Sequence, residues 1–138
     1  MNNRYICKAK RKDNGEWVEG YYVCNGEHCY IFSGKLGIIN KSFNWERYEV
    51  APETVGQCTG LKDKNGKWIF EGDIVRTKHY GKIIGNRNVA GYDIFKVVYV
   101  YAMFRTENKN RAYNLVDGGR YEVIGNIHDN PELLEVER

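Results

Sequence analysis

The sequence predicts an all-β fold, a small partly open antiparallel β-barrel or sandwich with SH3-like features and a short C-terminal helix. The chain has 138 residues, of which 15 are glycine, 2 are proline and 14% are aromatic. This composition is typical of short strands joined by tight turns, because turns use glycine and pleated strands favour aromatic side chains. The pair Asn65-Gly66 adds a hairpin signal, since a type I′ turn needs positive φ at both central residues.

Alternation of apolar and basic side chains predicts a β-meander in the first third of the chain, because successive side chains of a strand point to opposite faces. Strands are predicted over residues 4–11, 16–23 and 28–32, with glycine turns between them, and residues 33–57 are expected to be rich in loops with short strands. In the second half, strands are predicted over residues 73–78, 81–86, 94–104, 111–116 and 121–127. Pro131 follows a capping residue and precedes an acid, which predicts a short helix over residues 131–136.

Residues 94–104 are the most hydrophobic segment, and their alternating side chains are apolar on both faces. A strand of this kind is covered on both faces. A small β-domain has few elements for the second cover, so we expect another subunit to supply it and the protein to form a homo-oligomer. The alternative is a local loop or hairpin of the same chain.

Two tryptophans stand in similar sequence contexts. Trp17 and Trp68 each follow a turn glycine by two positions, and a Glu-Gly step comes shortly after each of them. The similarity predicts two related hairpins, with each tryptophan capping one end of the core.

Charge is distributed unevenly along the chain, whose formal net charge is +3. Residues 76–114 hold eight Lys or Arg and two acids, whereas residues 115–138 hold two Arg and six acids. A basic segment with interleaved tyrosines suits nucleic acid, since cations contact phosphates and exposed rings stack on bases. The alternative is that the two charged segments are solvated and the tyrosines lie in the core. The candidate nucleic-acid-binding residues are Arg76, Lys78, Lys82, Arg87, Lys96 and Arg105.

No motif predicts a catalytic residue, a metal ion or a cofactor. Cys24 and Cys29, with His28 beside them, lack the close spacing of a zinc knuckle, and the serines and histidines are scattered. Glu71 and Asp73 are expected to stabilise a turn. Without an apolar signal core or a membrane-length apolar run, we expect a cytoplasmic protein with four reduced cysteines and no membrane partner.

Several motifs resemble those of the YopX family. They are Thr59-Gly60-Leu61-Lys62-Asp63-Lys64-Asn65-Gly66, Glu71-Gly72-Asp73-Ile74-Val75, Val123-Ile124-Gly125-Asn126-Ile127 and Asn130-Pro131-Glu132-Leu133-Leu134. Weaker similarities over residues 14–22 and 52–57 extend the resemblance to nearly the whole chain, which predicts a single domain over residues 1–138. The signature residues, to which we assign structural roles, are Thr59, Gly60, Leu61, Asp63, Asn65, Gly66, Glu71, Gly72, Asp73, Gly125, Asn126 and Pro131.

The resemblance indicates the kind of genome that encodes such a protein, but it does not indicate an activity. Members of the family are small β-rich proteins encoded by bacterial phages and prophages, with no agreed activity, so no catalytic residue is transferred. We therefore expect a phage-type accessory protein in the host cytoplasm that acts by binding and self-assembly rather than catalysis. The alternative is a nucleic-acid-binding protein of phage replication or regulation.

Overall fold

The described residues form an all-β fold whose strands make two antiparallel sheets, as the alternation predicts. The computed structural model describes residues 3–36, 43–84 and 87–135, and side chains over residues 4–34, 46–78 and 91–135. The chain forms two compact units, Met1–Cys58 and Thr59–Arg138. The prediction of one domain over residues 1–138 stays a prediction.

The first unit contains the predicted meander. Its strands are β1 (Cys7–Lys10), β2 (Trp17–Cys24), β3 (Cys29–Leu36), β4 (Phe43–Glu49) and the start of β5 (Gly56–Lys62), with 3-10 helices at Asn3–Tyr5 and Pro52–Thr54. The strands β1 to β4 are neighbours in chain order, and β1 also pairs with the start of β5. One face of this sheet is buried, and its core consists of Ala9, Cys29, Ile31 and Val50.

The second unit is built on a five-stranded sheet. After the end of β5 come β6 (Trp68–Phe70), β7 (Asp73–Ile84), β8 (Arg87–Val100), β9 (Met103–Glu107), β10 (Ala112–Asn114) and β11 (Glu122–Asn126). The sheet order is β10-β9-β8-β7-β11, while β6 neighbours β5. The buried core consists of Ile69, Val75, Phe95, Val97, Leu115 and Tyr121.

The partly open barrel and the short terminal helix are not confirmed. Strands β10 and β11 are free edges of the five-stranded sheet, so among the described residues the sheet is open and forms no closed barrel. The end of the chain forms a 3-10 helix over Pro131–Glu135 rather than an α-helix, and residue 136 lies outside the described residues. The SH3-like features stay a prediction.

The expected short strands of residues 33–57 are present, and one strand boundary in the second unit differs from the sequence prediction. The segment 33–57 holds the end of β3, all of β4 and a 3-10 helix, although residues 37–42 lie outside the described part. Strand β7 runs on to Ile84, where two strands and a turn were expected. Its pairing with β8 shifts register between His79 and Lys82, so the glycine at position 81 accompanies an irregularity within one strand instead of a turn.

Residues 94–104 form parts of two strands, which corrects the prediction of a single one. Strand β8 ends at Val100, and Tyr101 and Ala102 turn the chain with φ values of 53° and 60°. Positive φ at both central residues defines a type I′ hairpin turn, usually made by Asn or Gly. Cover within the chain is uneven, because Phe95 is 1% exposed whereas Tyr99, on the same face of β8, is 47% exposed. Cover by another subunit stays a prediction.

The turn at Asn65-Gly66 is present, but its type differs from the predicted type I′. Gly66 has a φ of 83°, whereas Asn65 keeps a negative φ. The Gly66 N–H donates to the carbonyl oxygen of Asp63, and the Asp63 N–H donates to that of Lys67. This is a type I turn followed by a left-handed glycine.

The Asp63 carboxylate explains this choice of turn. Its Oδ1 accepts the N–H groups of Asn65 and Lys67, both at 2.9 Å. Its Oδ2 accepts the N–H of Val123 on β11, also at 2.9 Å. A second buried carboxylate, that of Asp73, accepts the N–H of Phe70 at 2.8 Å, which is the turn-stabilising role expected from the sequence.

Ionisation of Asp63 is coupled to folding. Burial alone raises the pKa of its carboxyl group, but the N–H groups of Val123, Lys67 and Asn65 stabilise the charged form, and the net pKa lies below the ordinary aspartate value. A pKa that is lower in the folded chain contributes stability above the unfolded pKa of about 3.9, and that stability is lost as the pH falls through the folded pKa.

We expect Asp63→Asn to lower the free energy of unfolding by about 2–3 kcal/mol at pH 7, because the amide offers one acceptor oxygen to three donors and carries no charge. Urea unfolding followed by tryptophan fluorescence measures the loss. Below about pH 4 the difference from the wild type should narrow as the wild-type carboxylate gains a proton. Asp13→Asn, at an exposed carboxylate beside Arg11, is the matched control and should change stability much less. Equal losses for the two variants would contradict the role given to Asp63.

At the turn of Tyr101 and Ala102, we expect a substitution to stabilise the protein. Replacing the pair by Asn-Gly should raise the free energy of unfolding by about 1–2 kcal/mol, since left-handed φ is costly for other L-residues. Ala112→Gly, in an exposed strand without positive φ, should lower stability and serves as the control. An unchanged or lower denaturation midpoint for the Asn-Gly variant would show that the turn is not strained.

Candidate nucleic-acid interface

Four of the six predicted nucleic-acid-binding residues share one face of the five-stranded sheet. Arg76 and Lys78 lie two residues apart on β7, and antiparallel partners share a face. On β8, Ile94 lies opposite Arg76, so Lys96, two residues further along, lies on the same face as Arg76. Val98 follows two residues after Lys96 and lies opposite Arg105 on β9, so Arg105 also lies on this face. We call these four residues, Arg76, Lys78, Lys96 and Arg105, the basic face. Lys82 lies opposite Val89 and Arg87 opposite Ile84, but their side chains lie outside the described part.

Acids on the same face offset much of this charge. Arg76 Nε lies 3.0 Å from Glu122 Oε2, and the Arg76 guanidinium carbon lies 4.5 Å from the centroid of the Tyr92 ring. Lys96 Nζ lies 3.6 Å from Glu107 Oε1. The hydrogen bond from Arg76 lowers the pKa of Glu122 against the opposing effect of burial, which keeps this carboxylate charged. The basic face therefore attracts phosphate less than its four cations alone would.

A second surface, made of residues outside the basic segment, lies on the sheet of the first unit. Lys8 and Lys10 flank buried Ala9 on β1 and so point to the face away from the core. Register extends this face across the sheet: Lys10 lies opposite Trp17, Tyr21 opposite Phe32, Val23 opposite Tyr30, and Phe32 opposite Arg47. We call this surface the aromatic face and define it by Lys8, Lys10, Trp17, Tyr21, Tyr30, Phe32 and Arg47.

The cations of the aromatic face lie over its rings. Lys8 Nζ and Lys10 Nζ lie 5.2 and 5.5 Å from the ring centroid of Trp17. The guanidinium carbon of Arg47 lies 4.8 Å from the centroid of Tyr30. Cations within about 6 Å of a ring face are attracted to it. Positive charge is thus held next to the aromatic surface.

Solvent reaches this face. Tyr21 is 47% exposed and its neighbour Val23 is 52% exposed, while Trp17, Tyr30 and Phe32 are half-buried. This corrects the prediction that Trp17 caps the core. Trp68 is likewise half-buried, with Lys62 Nζ 4.7 Å from its ring centroid, so the two related hairpins do place a lysine over each tryptophan.

Two acids, Glu19 and Glu49, share the aromatic face by register. Glu49 Oε2 lies 2.9 Å from His28 Nδ1 and 3.4 Å from Lys12 Nζ. The hydrogen bond from His28 lowers the pKa of Glu49 although burial opposes this, so the carboxylate is charged and paired with Lys12. Glu19 lies directly opposite Lys8, so acids lie on this face as they do on the basic face, and the four rings distinguish the aromatic face.

The cysteines differ from the sequence prediction of four reduced thiols. Cys24 and Cys29 form a disulfide, whereas Cys7 and Cys58 are thiols. Cys24 lies directly opposite Cys29, with a Cα–Cα distance of 4.1 Å. The Cys29 carbonyl accepts the Val50 N–H on the far side of β3, so the cysteines form a non-hydrogen-bonded pair, where cross-strand side chains are closest. The aromatic and cysteine pairings both depend on strand register, which the sequence alone does not fix.

The signature residues have roles in turns and contacts. Thr59 Oγ1 donates to the carbonyl oxygen of Ile69 at 2.8 Å, and Gly60, Gly66 and Gly72 have positive φ. A side chain at Gly125 would collide with Asn130, whose Oδ1 accepts the Asn126 N–H. None of these contacts needs a substrate.

Within the described residues, no group of three or more His, Cys, Asp or Glu is arranged to hold a metal ion. The predictions of no metal, no cofactor and no catalysis stay predictions. No helix in the described part of the chain is long and apolar enough to cross a membrane.

Comparisons with known proteins agree with the resemblance seen in the motifs. A family model described as YopX protein matches residues 8–135. The crystal structure of protein EF1440 from Enterococcus faecalis is similar, with a TM-score of 0.54 and 28% identity over 93% of this chain and 96% of that one. A comparison with curated proteins gives no match. Because the family model spans nearly the whole chain, this protein belongs to the YopX family.

Proposed function

We propose that this YopX protein is a phage-type accessory protein of the bacterial cytoplasm that acts by binding, without catalysis, and that its ligand is single-stranded nucleic acid. The observation that carries the proposal is the aromatic face, where four rings from two adjacent strands lie between cations from the two flanking strands. In the sequence, nucleic-acid binding is the alternative function, and its candidate residues lie in the basic segment and not on the aromatic face.

The rings favour unpaired bases over a duplex. Tyr21 and Phe32 lie opposite each other across β2 and β3, with Tyr30 two residues from Phe32 on the same face. Neighbouring strands are about 4.8 Å apart. Bases stack on such rings only when they are splayed out of a helix, and stacking is worth about 1–3 kcal/mol per base with little sequence preference.

The flanking cations suit the sugar-phosphate backbone. Lys8 and Lys10 lie on β1 at one side of the rings, and Arg47 lies on β4 at the other. A phosphate can approach each cation while the adjoining base stacks on a ring. If these three residues contact phosphates, the logarithm of affinity should fall with the logarithm of salt concentration with a slope of about −2.

The basic face is the competing location. Its cations face Glu122 and Glu107 within the same sheet, and the one aromatic contact described there is between Arg76 and Tyr92. Variants of the two faces therefore distinguish the two locations.

We expect a dye-labelled oligothymidylate of about 15 nucleotides to bind at low salt. Tyr21→Ala and Tyr30→Ala should each weaken binding about tenfold, as each removes one stacking surface. Fluorescence anisotropy measures the dissociation constant, and circular dichroism confirms folding. Tyr113→Ala is the matched control, since Tyr113 is also 47% exposed but lies on β10.

Arg76→Ala and Lys96→Ala should leave the dissociation constant within about twofold, which a salt titration checks in parallel. If these two variants weaken binding and Tyr21→Ala does not, the site is the basic face. If the wild type fails to bind at low salt, the proposed ligand is wrong.

Self-assembly is a second candidate, favoured by the tip of the β8–β9 hairpin. Tyr99, Val100, Tyr101 and Met103 are all exposed there, and Tyr101 is 85% exposed. Both turn residues have positive φ, a conformation that costs free energy and is found at functional contacts. Adjacent exposed apolar side chains mark interaction sites. A second copy of this chain is the proposed occupant, with its acidic C-terminal segment complementary to the basic middle.

We expect light scattering at micromolar concentration to give a mass above the 16.1 kDa of one chain. Tyr101→Lys should shift the protein to the monomer, because an ammonium group in an apolar contact is costly to desolvate. Val116→Lys, at a valine that is 81% exposed outside the tip, should leave the mass unchanged. A wild-type mass of 16.1 kDa would rule the assembly out.

A further inference from the structure

The Cys24–Cys29 disulfide lies at the end of the hairpin that carries most of the aromatic face. It joins the last residue of β2 to the first residue of β3. The next pair along the hairpin is Val23 opposite Tyr30, and Tyr21 opposite Phe32 follows two pairs later. The covalent bond therefore closes the hairpin next to the rings assigned above to base stacking.

The two sulfur-bearing residues differ in access to solvent. Cys24 is exposed, whereas Cys29 is 5% exposed and packs with Ala9, Ile31 and Val50 in the core of the first unit. A reagent in solution can reach the bond from the Cys24 side only. Exposed disulfides of this kind are generally the more easily reduced and regulatory ones.

We propose that Cys24 and Cys29 form a reversible thiol–disulfide exchange site, and that its oxidised state favours binding of single-stranded nucleic acid to the aromatic face. The inference rests on the proposed function. The co-reactant is a dithiol reductant, either a small molecule or a protein with two neighbouring thiols.

The exchange is balanced in two steps. A thiolate of the dithiol attacks Cys24 Sγ, forms a mixed disulfide and displaces Cys29 as a thiolate, which takes a proton. The second thiol of the reductant, as its thiolate, then attacks its own partner sulfur and releases Cys24 as a thiolate, which is protonated in turn. Two electrons and two protons pass to the protein, and the dithiol becomes a cyclic disulfide.

Loss of the bond weakens the order of the hairpin end. The disulfide closes a short loop, and its removal returns conformational freedom to residues 24–29 and to the strand pair beside them. A stacking surface that must be ordered upon binding has lower affinity than one that is ordered beforehand. Reduction should therefore raise the dissociation constant for the oligonucleotide.

The test measures the binding of labelled oligothymidylate, of about 15 nucleotides, to oxidised protein and to protein equilibrated with dithiothreitol. Mass spectrometry after alkylation under denaturing conditions should find two reactive thiols in the oxidised protein and four in the reduced one, since Cys7 and Cys58 are thiols in both. Reduction should weaken binding by about three- to tenfold, and re-oxidation should restore it. The double variant Cys24→Ser with Cys29→Ala should bind like the reduced protein under both conditions, whereas Cys7→Ala should keep the redox response.

The outcomes separate the two proposals. Equal binding by oxidised and reduced protein would overturn the redox inference and leave the proposed function intact. Four alkylated thiols after exposure to oxidant would overturn it as well, because no bond would have formed. Binding by neither state, with the disulfide reduced and reformed as expected, would mean that the proposed function fails and the regulatory role with it.

Discussion

The second unit depends on one carboxylate that serves three backbone donors. Asp63 fixes the turn of its own hairpin through Asn65 and Lys67 and holds β11 through Val123, so a local turn and a distant strand share one acceptor group. The side chain is 5% exposed, and the charge is tolerated because each oxygen is hydrogen-bonded. Neither an amide nor a hydroxyl offers two charged acceptor atoms in this space. The Lys64 N–H, which donates to the Tyr121 carbonyl, extends the same junction.

The strands could be predicted from the sequence, and most turn details could not. Alternation locates β1, β2 and β3 because one side of their sheet is buried. The Asn65-Gly66 pair predicts the position of the turn, but the turn type follows from the Asp63 carboxylate, which a residue-pair rule does not include. The turn at Tyr101 could not be predicted from the sequence, because neither turn residue favours positive φ and the apolar pattern continues through it.

The candidate site was predictable only in part, because its members come from separate strands. The basic segment was recognised from charge, but the acids that offset it, Glu107 and Glu122, arrive from β9 and β11. The aromatic face is not among the sequence predictions, because these place Trp17 in the core, although the two lysines above its ring alternate with apolar residues in β1. Register brings these residues together, and register depends on loop lengths and pairings that a single sequence does not define.

The hydrogen bond from the Val123 N–H to the Asp63 carboxylate joins two residues that are 60 apart in the sequence. This separation constrains the order in which the chain folds while it is being synthesised. While the ribosome is still synthesising the chain, the β7–β8 hairpin can close from local contacts, but β7 keeps a bare edge until β11 has emerged. The nascent second unit therefore passes through a stage in which Asp63 accepts the N–H groups of Asn65 and Lys67 but not yet that of Val123. A ribosome stalled before Glu122 would hold a chain with an unpaired edge strand, the form most exposed to aggregation and proteolysis.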